Sequence, residues 1–66
     1  MDLTLLPTFV AFAETLSFTR AAERVHLSQP AVHLHVKKLE EELGVSLYRR
    51  VGRGLELTRD GVSLSR

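Results

Sequence analysis

Apolar residues recur every three or four positions from Leu5 to Leu16, a period typical of a helix with one buried side. They are Leu5, Leu6, Phe9, Val10, Phe12, Ala13 and Leu16. Thr4 is a candidate N-cap, and Pro7 would then lie in the first turn, where a missing N–H has little effect. Leu5 and Phe12 lie at the flank of the stripe, so they either cover the core or pack against an additional element.

A second, shorter helix is predicted up to about Val25. Either Ser17 or Thr19 can cap it, since a hydroxyl oxygen can accept a hydrogen bond from a free N–H of the first turn. Within it, Ala21 and Ala22 are small enough to let another helix approach closely. The pattern therefore predicts two crossing helices.

The third helix follows almost at once. Ser28 can cap it, Pro30 lies near the first position where its fixed φ is suitable, and Gly44 ends it. Only residues 26–28 connect it to the preceding helix, so the chain must turn sharply.

The third helix has two distinct sides. Its narrow apolar side is predicted to face the core and consists of Val32, Val36, Leu39 and Leu43. The opposite side is then turned outward and carries Pro30, His33, Leu34, Lys37, Lys38 and Glu41, with Gln29 at its edge. These are the side chains that the helix offers to a partner.

A β-hairpin is predicted after Gly44. Leu47 and Val51 on one strand, and Leu55 and Leu57 on the other, have the even spacing of residues on one strand face. Residues 52–54, Gly-Arg-Gly, provide the turn. The hairpin would carry outward the arginines Arg49, Arg50 and Arg53, and it needs a helical layer to pack against because isolated two-stranded ribbons are marginal.

One more helix is predicted at the end of the chain. Thr58 can cap it, and Val62 and Leu64 are its apolar residues. Gly61 is expected to weaken it, because glycine is a poor helix former.

Composition restricts the class of protein. The chain has 66 residues, the size of one small domain, and it lacks cysteine, which excludes disulfides and thiolate metal sites. A net charge of +1 is too small to indicate a nucleic-acid partner by itself. The N-terminal segment carries an acid rather than a basic region, and no apolar run approaches the ~20 residues that span a bilayer. We expect a soluble, cytoplasmic protein with no membrane partner.

The order of elements and several motifs together resemble a known family. The motifs are FTRAAE, LSQPAV, LEEELG, L-Y-R-R and LT-x-x-G, and the match extends from Leu3 to Gly61. They are similar to the N-terminal DNA-binding domain of LysR-type transcriptional regulators. The resemblance implies a mainly α winged helix-turn-helix fold, in which three helices and a two-stranded wing are followed by the start of a linker helix.

The same resemblance implies partners and boundaries. Residues 1–58 would form the DNA-binding domain, and residues 59–66 would begin a truncated linker helix used for dimerisation. The partners would be double-stranded DNA at a promoter or operator, and a second copy of the full-length protein in a homodimer or higher oligomer. A small-molecule effector would act only through a C-terminal domain that is absent here. No cofactor is implied.

Candidate DNA-binding residues follow from the predicted faces and from the resemblance. They are Thr19, Arg20, Ser28, Gln29, Pro30, His33, Leu34, Lys37, Lys38, Arg50 and Arg53. The third helix (about 29–43) would lie in the major groove, with its first turns deepest and its lysines near phosphates. The wing (about 47–58) would lie on the flanking backbone or in the minor groove, and Thr19, Arg20 and Ser28 would bond phosphates.

Less specific interpretations remain open for some of these residues. Gln29 can act as a cap only, and Leu34 can be an ordinary exposed leucine. Arg49 and Arg50 are successive strand residues that point oppositely, so at most one is expected to meet DNA. Two departures from the family also matter: residues 33–36 read His-Leu-His-Val where Ser-Arg-Gln-Ile is frequent, and Asp60 replaces a common alanine.

Other functions have weaker support in the sequence. His33 and His35 lie about 200° apart on a helical wheel and His26 lies in a turn, so no metal site is predicted. His26 is expected to end the second helix, and His35 to lie at the edge of the core. Residues 40–42, three consecutive glutamates, are interpreted as a solvated face that pairs with the nearby lysines. We predict no enzymatic activity; a protein-interaction module with the same fold is the alternative function.

Overall fold

The computed structural model describes residues 2–66, which form helices followed by a two-stranded antiparallel sheet and a final helix. A 3₁₀ turn, Leu3–Leu5, precedes the main elements. These are α1 (Leu6–Thr15), α2 (Phe18–Val25), α3 (Gln29–Leu43), β1 (Tyr48–Val51), β2 (Gly54–Leu57) and α4 (Arg59–Ser65). This order confirms the mainly α winged helix-turn-helix plan.

The start of the first helix differs from its prediction. Thr4 does not cap it; instead, Asp2 caps the 3₁₀ turn, and its Oδ1 accepts from the Thr4 backbone N–H at 2.9 Å and from the Thr4 hydroxyl at 2.6 Å. Both hydrogen bonds lower the pKa of Asp2, and the bond from the Thr4 hydroxyl has the larger effect. α1 begins at Leu6 with Pro7 in its first turn, as expected. A short side-chain turn thus replaced the predicted cap.

The α2–α3 helix pair has a serine cap at the start of each helix and a left-handed residue at the end of α2. Ser17 Oγ accepts from the Arg20 N–H at 3.1 Å, and Ser28 Oγ accepts from the Ala31 N–H at 3.2 Å. His26 ends α2 with φ at +58°, as predicted for a helix-terminating residue. These local features let two helices meet across only three residues.

The core lies between α1, α2 and α3. Its buried hydrophobic residues are Leu5, Phe9, Ala11, Phe12, Phe18, Ala21, Ala22, Val32, Val36, Leu39 and Leu47. Leu5 and Phe12 therefore belong to the core. Val10 and Leu43 were expected to be buried, but they are 37% and 40% exposed, because the actual buried stripe of each helix is narrower than its run of apolar residues.

The predicted hairpin is present, but its turn is shorter and its buried face is different: Gly54 belongs to β2, so Gly52 and Arg53 form the turn. Tyr48 pairs with Leu57 and Val51 with Gly54. Tyr48, Leu55 and Leu57 are half-buried, whereas Val51 is 51% exposed. The prediction that Leu47 and Val51 share a strand face is wrong, because Leu47 precedes β1 and enters the core alone.

α4 is fixed to the rest of the domain at its first turn. Thr58 Oγ1 accepts from the Gly61 N–H at 3.1 Å and donates to the Ser46 carbonyl oxygen at 2.6 Å. Gly61 is buried, and Leu64 packs against the core, so the helix is anchored by contacts as well as by its cap. Within residues 2–66 no helix is long and apolar enough to span a membrane.

Candidate nucleic-acid interface

α3 presents a polar side because its apolar side is fixed in the core. Val32, Val36 and Leu39 are at most 1% exposed, which turns the opposite side of the helix toward solvent. Every residue proposed for the interface is exposed: Thr19, Arg20, Ser28, Gln29, Pro30, His33, Leu34, Lys37, Lys38, Arg50 and Arg53. The burial pattern thus makes all of them accessible to a partner.

The first turn of α3 leaves two side chains free for readout. Ser28 is the cap, and Gln29 is the first residue of the helix, so the cap-only interpretation of Gln29 is wrong. The Ser28 hydroxyl accepts from Ala31 and still has its own hydrogen to donate to an anion. Among residues 2–66 the amide of Gln29 has no side-chain partner, which leaves both its donor and its acceptor available.

His33 is the terminal ring of an aromatic cluster. Its imidazole stacks on Phe18, with centroids 3.6 Å apart and planes 15° apart. Phe18 in turn stacks on Phe12 at 4.5 Å, and Tyr48 of the wing meets both phenylalanines edge-on at 5.5 and 5.1 Å. The sequence interpretation missed this cluster, because residues 12, 18, 33 and 48 lie on four different elements.

The basic side chains differ in how they are engaged. Arg49 Nε donates to Glu56 Oε1 of the opposite strand at 2.7 Å. Arg50 pairs with Leu55 of the opposite strand. Gly52, whose φ is +58°, and Arg53 together form the two-residue turn. Arg49 is thus held in a surface ion pair, whereas Arg50 and Arg53 form no ion pair within residues 2–66.

The lysines of α3 are unpaired. The ion pairs of the described chain join Arg24 to Glu14 and Arg49 to Glu56, so the predicted pairing of Lys37 and Lys38 with residues 40–42 does not form. Neither lysine therefore forms a close ion pair with an acid of its own helix.

Glu40 connects α3 to the wing. Its Oε2 accepts from the Leu47 backbone N–H at 2.9 Å, and the residue is half-buried. It was predicted to be part of a solvated face, and that prediction is wrong for Glu40, because the chain returns past α3 before β1. Tyr48 and Glu40 then line a shared surface groove with residues of the outer side of α3, namely Pro30, His33, Leu34 and Lys37.

His35 connects two helices and, among the described residues, belongs to no metal site. Thr8 Oγ1 and His35 Nδ1 lie 2.8 Å apart, which ties α1 to α3 at the edge of the core, as expected for His35. Within residues 2–66 no three histidine, aspartate or glutamate side chains come together in a way that would hold a metal ion.

The helix pair, the exposed face of its second helix and the adjacent hairpin define a winged helix-turn-helix domain. The family model for bacterial regulatory helix-turn-helix proteins of the lysR family matches residues 3–62. The chain belongs to this family.

Relatives in sequence and structure agree with this assignment. An uncharacterized HTH-type transcriptional regulator from the ibpB-leuC intergenic region of Azotobacter vinelandii is 50% identical over 97% of this chain and 44% of its own length. A LysR-family regulator from Eggerthella lenta superposes with a TM-score of 0.91 at 38% identity, covering 97% and 91% of the two chains. The DNA-binding domain of BenM, in complex with catB site 1 DNA, gives 0.89 at 38% identity, covering 98% and 72%.

The chain is short compared with its sequence relatives. It spans 44% of the Azotobacter protein and 18% of the RuBisCO operon transcriptional regulator of Allochromatium vinosum. The properties of those whole proteins therefore reach beyond what this domain contains.

Proposed function

We propose that this domain binds double-stranded DNA sequence-specifically, as the DNA-binding part of a LysR-type transcriptional regulator. The observation that carries the proposal is the exposed polar side of α3. It is held outward because Val32, Val36 and Leu39 on the opposite side are buried, and the wing lines it along one groove. An α-helix fits the major groove, where each base pair presents a distinct pattern of donors and acceptors. The DNA complex of the similar BenM domain supports the same use of this fold.

The side chains divide by their position on the domain. Gln29, Pro30, His33 and Leu34 belong to the first turns of α3 and are proposed to meet base edges, where an amide bonds adenine and an apolar group touches a thymine methyl. Lys37 and Lys38 lie farther along and are proposed to meet phosphates. Two further groups are proposed to contact the DNA backbone: Thr19 and Arg20 in the first turn of α2 together with Ser28 at the start of α3, and Arg50 and Arg53 on the wing.

We propose further that the domain comprises residues 1–58 and that residues 59–66 begin a linker helix for pairing with a second copy. A longer protein would then bind a two-fold site as a homodimer or higher oligomer, and an effector would act through a separate C-terminal domain. The greater length of the relatives supports this division. Relatives that carry the names of transcriptional regulators also support a role in binding rather than catalysis.

Selection of bound duplexes from a random pool, followed by titration in increasing salt, tests the proposal. We expect an enriched half-site, and an affinity that falls linearly with salt on logarithmic axes because counterions are released from phosphates. A pool without enrichment and an affinity insensitive to salt would contradict DNA binding. That result would favour the alternative, a winged-helix domain that binds another protein.

A further inference from the structure

The ring of His33 is held in one plane on a helix face whose other hydrogen-bonding side chains are long and flexible. At 3.6 Å and 15° from Phe18 it lies in full stacking contact, and stacked aromatic pairs gain stability beyond the burial of their surface. The neighbouring residues on this face, Gln29, Lys37 and Lys38, have several rotatable bonds and no described partner that holds them. His33 therefore loses less conformational freedom on binding than they do.

The support beneath His33 is itself rigid. Phe18 is 9% exposed and Phe12 is fully buried, and Tyr48 braces both rings edge-on from the wing. The stacking surface is thus fixed by α1, α2 and the hairpin together. The residue beneath the histidine is part of the core, while the histidine itself remains exposed.

The edges of the imidazole remain available for a hydrogen bond. Among residues 2–66 neither ring nitrogen of His33 is hydrogen-bonded, in contrast to Nδ1 of His35, which lies 2.8 Å from Thr8 Oγ1. A neutral imidazole has one N–H donor and one acceptor, both in the plane of the ring. The stack on Phe18 therefore restricts the plane in which the His33 donor can point.

We propose that His33 is a specificity-determining residue that donates one hydrogen bond to a guanine, and that Phe18 is the positioning residue that holds its ring for this contact. This rests on the proposed DNA binding. Guanine is the favoured base because it offers two adjacent major-groove acceptors, N7 and O6. The other bases place a donor or a methyl group beside their single acceptor, or offer only a donor. A donor with a fixed plane is therefore most readily satisfied at guanine.

The test measures discrimination at each base pair of the duplex that the wild-type chain selects from a random pool. His33→Ala is expected to reduce discrimination about threefold to tenfold at one G·C pair, the range for one neutral hydrogen bond, and to leave the other positions unchanged. Phe18→Leu is expected to reduce discrimination at the same pair. It should have no further effect in the double variant, because the two residues act as one unit.

Phe9→Leu is the matched control. Phe9 is a fully buried ring whose centroid lies 6.5 Å from that of Phe12, and it does not stack on His33, whose partner is Phe18. It should lower stability while preserving discrimination at the G·C pair. If Phe18→Leu also preserves discrimination, or if His33→Ala affects every duplex equally, the proposal is overturned. An enriched half-site and salt-dependent binding by the wild type would still uphold the proposed function.

A measurement without any variant checks the stack directly. In the NMR spectrum of the free wild-type chain, the ring protons of His33 are expected to be shifted upfield by the ring current of Phe18, relative to those of exposed His26. Ring protons of His33 that coincide with those of His26 would show that the stack is absent and would overturn the positioning role, whether or not Phe18→Leu folds.

Discussion

Gly61 of α4 packs directly on the backbone of Leu47. A Cβ at position 61 would collide with the Leu47 carbonyl oxygen and would also lie 3.3 Å from Leu57 Cβ. Glycine is normally the weakest residue in a helix interior after proline, and the sequence interpretation treated Gly61 in that way. Here the missing side chain permits close contact between the last helix and the segment that enters the wing.

Gly61→Ala is therefore expected to destabilise the domain by about 1–3 kcal/mol, as overpacking does, although the same change stabilises an exposed helix. Urea unfolding followed by circular dichroism measures the difference. Gly54→Ala is the control, because its Cβ would meet nothing closer than the Val51 carbonyl oxygen at 3.8 Å, and it should change stability by less than about 0.5 kcal/mol. A Gly61→Ala variant at least as stable as the wild type would contradict the close contact.

Glu40→Ala is expected to cost about 1.5–3 kcal/mol, because it leaves the Leu47 N–H without its charged acceptor. Glu40→Gln retains an acceptor oxygen and should recover part of the loss. Glu41→Ala, on the exposed side of the same helix, is the control and should be nearly neutral. Urea unfolding measures the stability of each variant. Equal effects of Glu40→Ala and Glu41→Ala would show that the hydrogen bond from Leu47 to Glu40 contributes nothing to stability.

Gln29→Ala is expected to weaken binding to the selected duplex by about 1–3 kcal/mol and to relax selectivity at one base pair, since the amide is free at the start of α3. Lys38→Ala should weaken all duplexes alike, because a phosphate contact carries no sequence information. Fluorescence anisotropy on selected and random duplexes separates these outcomes. Equal losses on both duplexes for Gln29→Ala would remove its role in base readout.

Arg53→Ala is expected to reduce the slope of log affinity against log salt by about 1, because it removes one phosphate contact at the tip of the wing. Arg49→Ala is the matched control. Arg49 is paired with Glu56 at 2.7 Å, so its loss should change the slope less. Titrations at several salt concentrations on a duplex extending past the half-site give both slopes, and an unchanged slope for Arg53→Ala would show that the tip does not reach DNA.

The 66-residue chain is expected to be mainly monomeric in dilute solution and to bind a single half-site weakly. α4 extends only from Arg59 to Ser65, its Leu64 packs on its own core, and Val62 is 37% exposed, which leaves little apolar surface for a partner helix. A chain extended through the full linker helix should dimerise and bind a two-fold site far more tightly through effective concentration. Sedimentation at micromolar concentration compares the two, and a stable 66-residue dimer would place the interface within this domain.

Local pattern was sufficient for most of the elements. The caps at Ser28 and Thr58 were predicted, and Ser17 was one of two candidates for the cap of α2, because each hydroxyl bonds an N–H only three residues away. The outward side of α3 followed from helical periodicity once its apolar side was assigned to the core. The start of α1 was not predicted: Asp2 rather than Thr4 provides the cap, and a 3₁₀ turn precedes the helix.

The sequence by itself thus determined the order of elements and the set of exposed candidate residues, because both depend on neighbours within a few positions. Only the tertiary structure decided which residues contact one another across different elements. The stack of His33 on Phe18, the bond from Leu47 to Glu40 and the contact of Gly61 with Leu47 join different elements. No periodicity encodes them, since they arise only when α2, α3, the wing and α4 pack around one core.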